Sequence, residues 1–91
     1  MILNKILHGD CVEKIRELPD SSVDLIIADP PYNLKKNFGD KSIVWDDLTE
    51  WLDWSKEWIS VANQKLKPTG SIFIYGIHHY MCYIQIYLYE L

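Results

Sequence analysis

The chain has 91 residues, enough for one domain with a modest core and too few for two. Hydrophobic residues make up 48% and charged residues 24%, which excludes a disordered or membrane-embedded class. A formal net charge of −4 gives no electrostatic footprint for a polyanion, so any grip on nucleic-acid phosphates has to come mainly from elsewhere.

The opening MILNKILHGD lacks a basic flank, a long apolar region and a small-residue cleavage site, and no apolar stretch approaches a membrane span. A cytoplasmic protein without a membrane partner is expected. Cys11 and Cys82 stand far apart with no CxxC spacing, which fits reduced thiols better than a disulfide or a cysteine metal site.

Residues 4–10, NKILHGD, read as a short strand ending at Gly9-Asp10. In CVEKIRELPD, Val12, Ile15 and Leu18 recur at helical spacing; Asp10 and Glu13 have the spacing of a capping box, and Pro19-Asp20 stops the helix. SVDLIIAD is a nearly continuous apolar run from Val23 to Ala28, interrupted by Asp24, and predicts a parallel strand covered on both faces. The loop NLKKNFGDKSIV is long for a compact domain and is a candidate functional loop.

A second helix follows. Asp47 and Glu50 again have capping-box spacing, and Trp51, Trp54, Trp58, Ala62 and Leu66 recur three or four residues apart, giving one broad apolar face. Lys65 and Lys67 suit the negative end of the helix dipole, and Pro68 and Gly70 end the helix. SIFIYG is a third short strand of β-branched and aromatic residues. In the tail IHHYMCYIQIYLYEL, Tyr80, Tyr83, Ile84, Tyr87, Leu88 and Leu91 fit a helix, while Ile84, Ile86 and Leu88 also alternate as in a strand; the preceding order favours the helix. Strand, helix, strand, helix, strand predicts an α/β class with three parallel strands joined by crossover helices. No repeat, low-complexity run or linker divides the chain.

The chemistry concentrates in IIADPPYNLKKNF. Ligands of open parallel sheets bind beyond the carboxyl ends of the strands, which is where Asp29 falls. Pro30 holds Asp29 extended, and the two prolines have fixed φ and no N–H, so the corner is stiff and rich in acceptors. The Asp29 carboxylate and the Pro30 carbonyl can accept two hydrogen bonds from one planar NH2 group, and Tyr32 offers a ring on which a flat heterocycle stacks. An aromatic amine is a poor nucleophile because its lone pair is delocalised. Two acceptors on its N–H bonds favour a pyramidal nitrogen and stabilise the positive charge that grows as it attacks an electrophilic carbon.

DPPY at Asp29, Pro30, Pro31 and Tyr32, followed by Asn33, closely resembles the catalytic motif of amino-group DNA methyltransferases that modify adenine N6 or cytosine N4 with S-adenosylmethionine. The flanks HGDCVEKIRELPDSSVDLIIADPPYN, WDD and PTGSIFIYG are similar too, and the likeness covers residues 4–79. The resemblance implies a partial Rossmann-like methyltransferase fold and double-stranded DNA as partner, with the target base flipped into the pocket. It implies that Asp29 and the Pro30 carbonyl hold the amine, that Tyr32 stacks on the base, and that Asp10, with its neighbour Cys11, lies near the cofactor adenine. Aspartate at the first motif position is commoner in adenine-N6 enzymes, whereas cytosine-N4 enzymes usually have serine.

The motif stands early in the chain, as in the beta subclass, where the catalytic half precedes the cofactor-binding half. The four glycines, Gly9, Gly39, Gly70 and Gly76, form no GxG pair, so the FxGxG-like cofactor loop is not among these residues. Residues 1–91 are therefore expected to be the N-terminal, catalytic-motif portion of a methyltransferase of a restriction-modification system, without target-recognition and cofactor-loop portions and inactive alone. Its apolar surface is expected to associate with a separately encoded C-terminal half or a second copy.

Plainer readings stand beside these. Asp-Pro pairs also punctuate chains as turns, Asp10 is also a helix cap, Lys35, Lys36 and Lys41 are ordinary solvated lysines unless they meet phosphates, and the Trp stripe is a packing face. His78 and His79 are adjacent and badly placed to share a metal, so no metal site is expected. Rival functions are a non-catalytic remnant or partner-binding half of a split methyltransferase, and an RNA or protein-glutamine methyltransferase.

Overall fold

The computed structural model describes residues 4–31 and 48–91, the side chains of 78 and 79 excepted. In chain order the elements are α1 (Cys11–Arg16), β1 (Val23–Ala28), α2 (Leu48–Lys65), β2 (Leu66–Ile74) and α3 (His78–Glu90). Asp10 starts α1 from an extended conformation, and its Oδ2 accepts the Glu13 backbone N–H at 3.1 Å, as the capping spacing predicts. The helix is short and closes at Arg16, ahead of Leu18 and Pro19. Its buried Val12 faces the core.

α2 is the long element, and its stripe packs as expected: Trp51, Trp58 and Ala62 are buried, and Ile59 between them is 0% exposed. Ser55 is buried on the same helix, where its hydroxyl donates to the Trp51 carbonyl at 2.8 Å and so leaves no orphan polar atom. The last carbonyls of a helix need partners from outside it. Here the Ser21 and Ser22 N–H groups supply them, donating to the Gln64 and Lys65 carbonyls at 3.0 and 2.9 Å, and Lys65 Nζ reaches Asp20 Oδ1 at 2.6 Å. The entry to β1 is thereby fastened to the exit of α2.

β1 and β2 form a parallel pair with α2 as the crossover. Leu25 to Ala28 run in register with Ser71 to Ile74, but Val23 opposes Leu66, so Lys67 to Gly70 bulge out of the ladder. Ile26, Ala28 and Ile74 pack on the core cluster that includes Trp51, Trp58, Ile59 and Ile84.

Three expectations need correction. Among the described residues the sheet has two strands rather than three. Residues 4–10 form none: Asn4 has a left-handed φ of 54°, which departs from extended backbone, and Ile6 is 100% exposed, so burial gives the segment nothing to gain from pairing. β1 is covered on one face only, since Leu25, Ile27 and Phe73 are exposed on the other. β2 also begins at Leu66, directly after α2, because Pro68 and Gly70 lie in the bulge, where a missing N–H costs the ladder nothing.

The tail adopts the helix rather than the strand, with Ile84 buried and Tyr80, Met81, Tyr87 and Leu88 against the core cluster. Among the described residues no helix is long and apolar enough to cross a membrane.

Candidate active site

The corner sits where β1 leaves the sheet. The Tyr75 N–H donates to the Ala28 carbonyl at 2.9 Å, carrying the ladder to the last residue of β1, so Asp29 is the first residue beyond it. Asp29 is exposed, at the carboxyl end of the strand, rather than turned into the interior; Pro30 and Pro31 are half-buried. Prolines donate nothing from the backbone, so Pro30 and Pro31 offer only their carbonyls here. The Pro31 carbonyl is taken at 3.0 Å by the indole Nε1–H of Trp51, twenty residues away on the first turns of α2.

Beside the corner lies an open groove of about 710 Å³, within the usual size range of small-molecule and cofactor sites. Asp10 and Cys11 enter it from the start of α1, Asp29, Pro30 and Pro31 from the corner, and Trp54 and Trp58 from α2. The wall is thus mainly apolar, with carboxylates from two segments. Partial burial pushes the Cys11 thiol above its ordinary pKa, and the neighbouring Asp10 charge pushes it the same way. The shift disfavours the thiolate, and Cys11 lines the groove as a small soft wall element.

The structure brings five of the six predicted site residues to one groove: Asp10, Cys11, Asp29, Pro30 and Pro31. Tyr32 lies outside the described residues, as do Asn33, Lys35, Lys36, Lys41 and Asp47. Helical spacing assigns the Trp stripe to packing alone. Trp54 and Trp58 also line the groove, and Trp51 also holds the corner. No spacing rule announces a side-chain bond to a carbonyl twenty residues back.

Residues 23–90 match the DNA methylase family of N6 and N4 enzymes. The type II methyltransferase M.BamHI of Bacillus amyloliquefaciens is 41% identical over 86 residues, which cover 94% of this chain and 20% of that protein. The type II methyltransferase M.BglII of Bacillus subtilis is 44% identical over 71 residues, 78% of this chain and 19% of that one. The DNA adenine methyltransferase YhdJ of Escherichia coli (strain K12) is 40% identical over 82 residues, 89% of this chain and 27% of that one. The chain therefore spans about a fifth to a quarter of the length of these relatives. The matched stretch runs through β1, the corner, α2, β2 and α3, and the chain belongs to the DNA methylase family.

Proposed function

We propose that this chain carries the amine-binding corner of a DNA methyltransferase that modifies adenine at N6, with the rest of the machinery supplied from outside these 91 residues. The observation that carries the reading is the exposed Asp29 followed by two prolines at the carboxyl end of β1, opening on the same groove as Asp10 and Cys11. In this reading the Asp29 carboxylate and the Pro30 carbonyl accept the two N–H bonds of a flipped base. The lone pair is then directed away from them, and both hydrogen bonds strengthen as positive charge grows on the nitrogen. Tyr32 stacks on the base and keeps it in the pocket.

The groove residues fit S-adenosylmethionine: the space is adequate, the wall is mainly apolar, and Asp10 offers a carboxylate to its polar groups. When bound, that cofactor supplies the electrophilic methyl group. Asp10 also caps α1, so the same side chain fixes the helix start against the groove. Adenine is preferred to cytosine because the first motif position is Asp29, and the adenine methyltransferase YhdJ is among the relatives. The two type II relatives support a place in a restriction-modification system.

The test is a chimera in which this chain replaces the matching segment of YhdJ, assayed on unmethylated DNA with nucleoside analysis of the product. N6-methyladenine is expected, and Asp29→Ala is expected to abolish it. A folded Asp29→Ala chimera that keeps its activity, or a product methylated on cytosine, sinks the reading. The 91-residue chain by itself is expected to give no turnover.

A further inference from the structure

We propose that Trp51 is the positioning residue of the acceptor corner: its indole N–H, by holding the Pro31 carbonyl, sets the direction in which Asp29 and the Pro30 carbonyl face an incoming base. This rests on the reading of the corner as an amine site.

The corner is fastened at two points. On the strand side the Tyr75 N–H holds the Ala28 carbonyl at 2.9 Å; on the exit side Trp51 Nε1 holds the Pro31 carbonyl at 3.0 Å. Between these points lie Asp29, Pro30 and Pro31. Proline fixes φ but leaves ψ free, so two prolines alone do not decide where their carbonyls aim. Fixing the carbonyl at each end removes much of that freedom, which for a site that must place two acceptors against one NH2 group is the freedom that matters.

Trp51 is itself held. It is 4% exposed, its ring meets Tyr80 of α3 at 5.2 Å between centroids with a 39° tilt, and its own carbonyl accepts the Ser55 hydroxyl. A buried indole N–H needs an acceptor, and here its acceptor is a corner carbonyl rather than a helix or strand carbonyl. The corner is thereby tied to α2 and, through Tyr80, to α3.

The experiment uses the isotopically labelled 91-residue chain. In the wild type, a nuclear Overhauser contact between the Trp51 indole proton and the Pro31 protons is expected, and its absence overturns the proposal even if no variant folds. Trp51→Phe keeps a six-membered ring for Tyr80 to meet and removes the donor together with part of the indole. The Pro31 carbonyl and Asp29 amide resonances are expected to move, and affinity for 2′-deoxyadenosine 5′-monophosphate to fall by about three- to tenfold, the size of one ordinary hydrogen bond. A folded variant whose Pro31 carbonyl does not move overturns the proposal, whatever happens to affinity. So does one whose carbonyl moves while affinity stays at the wild-type value. If the wild type makes the Overhauser contact but binds no nucleotide, the amine-site reading fails, and the carbonyl shift in Trp51→Phe still decides whether Trp51 holds the corner.

Discussion

Trp51 and Trp58 offer a matched pair for weighing the corner's anchor. Both stand on α2, at 4% and 5% exposure, and changing either to Phe deletes the same atoms from a packed site. They differ in what the indole N–H meets: that of Trp51 reaches Pro31, while that of Trp58 has no acceptor within reach among the described residues. To first order the loss of ring packing is common to both and cancels. At position 51 the change also removes a made hydrogen bond, net about 1 kcal/mol because the half-buried Pro31 carbonyl can turn partly to water. At position 58 it removes a buried donor left unsatisfied, which relieves about 1–2 kcal/mol. Trp51→Phe should therefore be the less stable by about 2–3 kcal/mol, on the order of 10–20 °C in transition temperature for a domain of this size. Urea unfolding followed by far-ultraviolet circular dichroism gives the comparison directly. Equal midpoints at equal slope would refute the reasoning, because the two N–H groups would then be energetically alike.

Two further predictions concern the start of α1. Asp10→Ala removes the acceptor of the Glu13 N–H and should cost about 1 kcal/mol in urea unfolding, whereas Asp10→Asn, which keeps a capping oxygen, should cost much less. Burial and the Asp10 charge both raise the Cys11 thiol, so at pH 8 iodoacetamide should alkylate it slowly. Taking the carboxylate charge away favours the thiolate, and Asp10→Asn should therefore speed alkylation at that pH; an unchanged or slower rate, read by peptide mass spectrometry, contradicts the stated cause.

Local signals in the sequence were sufficient where one segment decides its own state. Asp10 with Glu13 placed a cap, the Trp51 to Ala62 stripe placed α2, and Val23 to Ala28 placed a strand ending one residue before the corner. The tail was ambiguous by periodicity and was settled by packing, since only a helix puts Tyr80, Ile84, Tyr87 and Leu88 on one face. The first predicted strand failed for a different reason. NKILHGD has strand-like residues, but strand formation depends on packing as much as on propensity, and Ile6 is 100% exposed. Pro68 and Gly70 misled at the start of β2 because a breaker inside a bulge breaks nothing.

The candidate site divides the same way. That Asp29, Pro30 and Pro31 stand together at a strand end was legible because they are contiguous, and Asp10 and Cys11, expected near the cofactor from the resemblance, line the same groove. What sequence could not supply was the shared groove, which depends on how α1, β1 and α2 meet, or the bond from Trp51, which depends on the rotamer of one indole.

The central claim is that Asp29 recognises an exocyclic amine. It is tested most directly by titrating the labelled chain with 2′-deoxyadenosine 5′-monophosphate and with the corresponding purine nucleotide that lacks the 6-amino group, before and after Asp29→Ala. A hydrogen bond to a charged acceptor predicts that the wild type prefers the amine-bearing nucleotide by roughly tenfold or more, and that the preference collapses in the variant. Equal affinity for the two nucleotides, or a preference that survives loss of the carboxylate, would contradict it.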